Sequence, residues 1–221
     1  MNIIGIDFSI LYPGICISTD FNSFKWIGFT NTKITKKESR FIEDVNSLYS
    51  NLKVIELGER PAKNKQYHIN ERLKLSNFIK LTDNIINEIQ KLTKDTDNII
   101  AIEGISFGSS GNSLVDISQA TGILKSKLTK LTNSVDKIFV FSPSELKNAI
   151  GCKGNASKID VYNKFKEDPI IENAKNSDLY KLIHSSEDVI FNGKNIKSPY
   201  MDMIDSYLPI VKVYNIFKNN D

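Results

Sequence analysis

Four acids in this 221-residue chain stand where an acid is costly. Asp7 closes an apolar opening run, NIIGI, that reads as a buried strand. Glu103 closes a second run of the same kind, NIIAI. Asp202 and Asp205 lie in SPYMDMIDSYL at positions i and i+3, on one face of a helix. A carboxylate at the end of a buried strand needs a partner: a backbone cap, an Arg or Lys, or a metal ion. Four gathered carboxylates would drive one another toward protonation unless cations intervened. Mg2+ takes oxygen ligands, water and substrate phosphates. Two such ions roughly 3.5–4 Å apart can activate water and stabilise the leaving oxygen of a phosphodiester. Each acid also has a plainer explanation. Asp7 can cap the turn over 8–14, Glu103 can pair with a lysine, and Asp202 and Asp205 suit the start of a helix dipole. Jointly, acids at two strand ends and on one late helix face favour a site.

Whether the acids meet depends on the elements that carry them. Apolar runs bounded by turn formers predict strands over 2–7, 14–19 and 24–30. A helix is expected over 36–51 and a polar loop over 58–69, which contains Pro61. The spacing from Leu73 to Leu92 predicts a helix over 70–92. A strand over 98–103, a Gly/Ser loop, a helix over 113–131 and a strand over 137–141 follow. SPSE then starts a helix, with Ser142 as cap, Pro143 at the first helical position and Glu145 closing a capping box. A helix over 157–166 and a polar, irregular stretch over 168–197 come next. Ser198 and Pro199 open the last helix, in which Pro209 cannot donate to the Asp205 carbonyl, so a kink is expected past the acids. This order implies an α/β fold. Three antiparallel strands followed by parallel ones form a mixed five-stranded sheet with helices on both faces. A sheet with the first strand beside the one over 98–103 brings Asp7 and Glu103 together. One domain over 1–221 is expected, with insertions at about 31–69 and 168–197.

Composition narrows the partners. Hydrophobic content of 40% and charged content of 25% are ordinary for a soluble globular chain. No apolar run reaches the roughly 18 residues of a membrane span, and the N-terminus lacks the basic start of a signal peptide. A protein of the cytoplasm or another intracellular compartment is therefore expected. Cys16 and Cys152 form no metal-type cluster and read as reduced thiols. Net charge is only +3, yet residues 121–166 carry nine lysines against three acids. A polyanion-binding face requires such a basic region, although a solvated helix surface also tolerates one.

Five stretches, in order along the chain, resemble the motifs of one family. They are IIGIDFSILYPGICIS, ERLKL, IAIEGISFGSSGNSLVDISQATGIL, PSELKNAIGCKGNASKIDV and DMIDSYL. The chain resembles the RuvC-type Holliday junction resolvases of the RNase H-like nuclease superfamily. The resemblance implies that Asp7, Glu103, Asp202 and Asp205 are its four metal-binding, catalytic acids. Lys147 and Lys158 match its basic residues near the scissile phosphate, and Phe107 matches its junction-stacking aromatic, one residue later than usual. Lys125, Lys147, Lys153, Lys158 and Phe107 are the expected nucleic-acid contacts. The resemblance further implies a Mg2+-dependent homodimer, with Mn2+ as substitute and two ions per site, that nicks opposed strands of branched DNA. Phe8-Ser9 replaces the family's usual Pro-Gly, and one extra residue separates Gly151 from Gly154. Leu75 and Leu81 lie off the main apolar face of their helix and are candidates for a subunit contact. Two other readings stand beside this one: a nuclease for RNA–DNA hybrids or flaps, and a non-catalytic nucleic-acid-binding domain.

Overall fold

The computed structural model describes residues 1–58, 65–93, 97–105, 111–167, 169–186, 190–192 and 195–218. Strand β1 (Asn2–Asp7) pairs antiparallel with β2 (Gly14–Thr19), and β2 antiparallel with β3 (Ser23–Thr30). At the far edge, β4 (Leu52–Glu56) joins β3 in parallel. On the other side of β1, β5 (Asn98–Glu103) and then β6 (Ile138–Phe141) add in parallel, giving the order β4-β3-β2-β1-β5-β6. The sheet has six strands where five were expected. The extra one, β4, is short and interleaves Lys53 and Glu56 with apolar residues, so its sequence carries little strand signal.

The helices are α1 (Lys36–Leu48), α2 (Tyr67–Thr93), α3 (Asn112–Thr132), α4 (Pro143–Ala149), α5 (Lys158–Glu167), α6 (Asp178–Ser185) and α7 (Tyr200–Lys218). The stretch expected to be irregular over 168–197 holds a 3-10 turn (Glu172–Asn176), α6 and a small hairpin of β7 (Phe191–Asn192) with β8 (Asn195–Ile196). Leu179, Leu182 and Ile183 bury one face of α6, which fixes it despite the polar surroundings. The Tyr207 hydroxyl accepts from the Ile171 N–H at 2.9 Å and ties this stretch to α7. Helix α7 continues through Pro209, which is buried within it. Leu81 is buried against the sheet and offers no surface to a partner. No described helix is long and apolar enough to cross a membrane.

Strand alternation decides what faces what. Ile4, Ile6, Ile15, Ile17, Ile27, Ile100 and Ile102 point to one face, where Leu81, Ile85 and Ile89 of α2 and Leu124 and Leu128 of α3 cover them. Ile3, Cys16, Phe24, Trp26 and Ala101 point to the other, which α7 crosses with α1, α4, α5 and α6 around it. Asp7 shares the parity of Ile3, and Glu103 that of Ala101, so both face the α7 side. Small residues let α7 come close. A β-carbon at Gly5 would collide with the Ser206 carbonyl, and one at Gly14 with the Asp202 carbonyl. The aromatic cluster of Phe24, Trp26, Phe165 and Tyr207 then locks α5 and α7 onto β3.

Candidate active site

The parallel register of β1 and β5 sets Ile6 opposite Ile102, so the next residues, Asp7 and Glu103, end side by side. Helix α7 brings Asp202 and Asp205 over them from its first turns. Asp202 is 6% exposed and Asp205 half-buried. The contact between Gly14 and the Asp202 backbone sets the height of that helix above the strand ends.

Electrostatics show that the four acids feel one another. Burial pushes the Asp7 carboxyl well above its ordinary range, and Asp205, Glu103 and Asp202 push it further. Burial and then Asp205 raise Glu103 to about 7. Burial raises Asp205 to about 6, with Lys158 opposing and Asp202 adding to the rise. Asp202 is raised by burial despite a hydrogen bond from the Ser198 side chain, and its Oδ2 is buried without a partner. Lys158 Nζ lies 3.2 Å from Asp205 Oδ2. Desolvation opposes the charge on Lys158, but Asp205, Asp202 and Asp7 outweigh it and raise the lysine's pKa.

The turn between α4 and α5 positions the lysines. Ser142 and Glu145 form the expected capping box at the start of α4. Gly151 takes a positive φ of 82°, which closes the end of α4, and the Cys152 N–H reaches back to the Lys147 carbonyl at 3.0 Å. Ser157 and Asp160 cap α5 reciprocally, which puts Lys158 in its first turn. Lys147 Nζ donates to the Ala156 carbonyl at 2.6 Å and acts on both Glu103 and Asp205. Lys153 is exposed in the same turn. Lys125 is not brought to the acids: it lies on α3, on the opposite sheet face, about 20 Å of helix from the α3 N-terminus. Phe107 lies outside the described residues.

Two neighbours of the site escaped the sequence reading. Ser198 was assigned only to capping, although its side chain also binds Asp202. Tyr12 is half-buried in the loop after Asp7, and both Glu38 and Asp202 act on it. The loop DFSILYPG did mark an aromatic within five residues of the first acid, but nothing in the sequence gave its direction.

Among the described residues, no three His, Cys, Asp or Glu side chains are grouped to hold a metal ion as they stand. The donor chemistry nonetheless fits a hard divalent cation. All four groups offer carboxylate oxygen, all four resist ionisation as placed, and Asp202 Oδ2 is an orphaned buried acceptor. Lys158 is the one ammonium paired with any of them at salt-bridge distance among the described residues.

A mixed sheet of this order, with acids ending two neighbouring parallel strands and helices on both faces, is the RNase H-like nuclease fold. Residues 46–167 match the family model for crossover junction endodeoxyribonuclease RuvC, and the chain belongs to that family. The matched stretch contains Glu103, Lys147 and Lys158, while Asp7, Asp202 and Asp205 fall outside it. The chain is similar in fold to Thermus thermophilus RuvC, at 11% identity over 98% of this chain and 97% of that one, with a TM-score of 0.50. It is similar also to T. thermophilus RuvC in complex with Holliday junction substrate, at 9% identity over 99% and 96%, with a TM-score of 0.51. The yeast mitochondrial Holliday junction resolvase Ydc2 matches at 14% identity over 95% and 76%, with a TM-score of 0.47. No curated protein matches the chain.

Proposed function

We propose that this chain is a divalent-metal-dependent endonuclease that resolves four-way DNA junctions as a homodimer. The observation that carries the reading is the convergence of Asp7, Glu103, Asp202 and Asp205 from three elements, with raised pKa values and one paired ammonium among them. These four acids would hold one or two Mg2+ ions. A bound divalent cation would supply Lewis acidity, activating water and neutralising charge on the leaving oxygen of a phosphodiester. Asp7 and Glu103 are fixed by the sheet, so the reacting phosphate meets a rigid floor. Lys147, anchored on the Ala156 carbonyl, and Lys158, anchored on Asp205, stand beside it to neutralise charge that builds on the phosphate.

A four-way junction has two-fold symmetry, which a dimer with an isologous interface matches. Leu75 (51% exposed) and Ile79 (42%) on α2, with Val115 (54%) on α3, give an apolar face suited to that contact. The Lys74–Asp116 pair at 3.0 Å braces the two helices beside it.

The test is cleavage of a synthetic four-way junction in Mg2+, beside a matched duplex and an RNA–DNA hybrid. Selective, paired nicking of opposed junction strands is expected, together with a dimeric mass by light scattering. Preferential cutting of the hybrid by a monomer would replace this reading with a hybrid nuclease.

A further inference from the structure

The sheet edge that carries the acids also carries the start of α1. Strands β1 and β3 are each antiparallel to β2, so both run toward that edge. The register is explicit: Asp7 pairs with Gly14, and Gly14 with Gly28. The end of β3 and the residue after it are pinned to the loop after Asp7. The Phe29 N–H donates to the Pro13 carbonyl at 3.0 Å, and the Asn31 N–H to the Leu11 carbonyl at 2.8 Å. Asn31 Nδ2 donates to the Ile10 carbonyl at 2.9 Å. Thr35 and Glu38 then close a capping box on α1.

Around this fixed turn stand Lys33, Lys36, Lys37 and Arg40, all exposed and none paired with a described acid. Lys36 and Lys37 occupy the first turn of α1, where the helix dipole disfavours cations. A bound polyanion would reverse that penalty. Glu38 is held in the cap, with Lys197 facing it, and Glu56 accepts from the Ser39 hydroxyl at 3.1 Å, so the four cations outnumber the acids at the start of the helix. The capping box engages the Thr35 and Glu38 N–H groups, and the four side-chain cations carry the recognition. Strand β3 is two strands from β1, about 10 Å at ordinary spacing. Strand β6, which delivers α4 and the Lys147 turn, lies two strands away on the other side. The acids thus lie between two basic flanks.

We propose that Lys33, Lys36, Lys37 and Arg40 form a second phosphate-binding wall for the DNA strand that crosses the acids, opposite Lys147, Lys153 and Lys158. The proposal rests on the endonuclease reading. Residues 33–40 precede the stretch that matches the family model, so the match assigns them nothing.

The test compares Lys36→Gln/Lys37→Gln with Lys80→Gln/Lys130→Gln, which removes equal charge from α2 and α3 on the far sheet face. Binding of a labelled four-way junction and of a matched duplex is measured by anisotropy in EDTA across a KCl series. Each lost phosphate contact lowers the slope of log K against log salt by about 0.9. The wall variant should lose up to about two such steps and bind roughly tenfold or more weakly, while the control stays near wild type. An unchanged slope in the wall variant, or an equal loss in the control, overturns the wall and leaves the endonuclease reading in place. Wild-type protein that neither prefers nor cuts the junction overturns the endonuclease reading, and the duplex arm still reports on the wall.

Discussion

Replacing Gly14 by Ala should damage catalysis through geometry alone, without touching an acid. A β-carbon there would sit 2.0 Å from the Asp202 carbonyl oxygen, 2.3 Å from its carbonyl carbon and 2.7 Å from the Met203 nitrogen. Ordinary contact begins near 3.4 Å, so the gap must open by more than 1 Å. The strand cannot give way, because Gly14 is paired to Asp7 on one side and to Gly28 on the other. Helix α7 must therefore lift at Asp202. Forcing a group into a packed contact costs about 1–3 kcal/mol. A displacement of about 1 Å in a catalytic group can cost on the order of 100-fold in rate.

The assay is single-turnover cleavage of a four-way junction in Mg2+, with thermal melting and junction affinity measured on the same protein. The variant should melt lower, bind the junction with little change and cleave at least tenfold more slowly. Gly122→Ala is the matched control. Gly122 lies in α3 with nothing within 4 Å of its added β-carbon, so alanine should stabilise the helix by up to about 1 kcal/mol and leave cleavage unchanged. A Gly14→Ala protein that melts and cleaves like wild type would refute the close packing of α7 on β2 as what positions Asp202.

Asp7→Asn, Glu103→Gln and Asp205→Asn should each abolish cleavage while largely keeping junction binding, since phosphate contacts dominate affinity; near-wild-type nicking by any of them in Mg2+ counts against the site. Lys147→Ala and Lys158→Ala should slow single-turnover cleavage far more than they weaken binding, and parental rates in both would reduce these lysines to surface charge. The pH dependence of stability in EDTA follows from Glu103 and Asp205, which titrate at about 7 and about 6 when folded, above their ordinary values of 4.5 and 3.8. The folded state then binds more protons than the unfolded one, so stability should fall as pH rises from about 5 to about 7. Acids with lowered values, such as Glu38 and Asp160, finish titrating below that window. Mg2+ should restore more stability at pH 8 than at pH 5; a flat or rising melting temperature in EDTA over this range would contradict the clustering.

The meeting of Asp7 with Glu103 was legible because two facts suffice for it: each acid ends an apolar strand, and those strands are neighbours. Alternation then fixes the face, since Asp7 follows Ile3 and Gly5 while Glu103 follows Ile99 and Ala101. The helix that covers this face is also written in the strands. Gly5, Gly14, Gly28 and Ala101 are small on the α7 side, whereas isoleucines fill the other side, so only one face admits a helix backbone at close range. That pattern appears only after the register is known, so the sequence alone does not mark Gly14 as the support of Asp202. Leu81 was misplaced for a related reason: α2 buries a wider arc than one stripe because it packs on both the sheet and α3. Tyr12 and the α1 lysines were harder still. Their nearness to the acids comes from β3 running back to the edge where β1 ends, a consequence of topology that no local spacing carries. The four clustered acids are thus marked by a conflict within their own strand or helix, an acid where apolar residues belong. The α1 cations carry no such conflict, and only the path of the chain brings them to the end of the sheet where the acids stand.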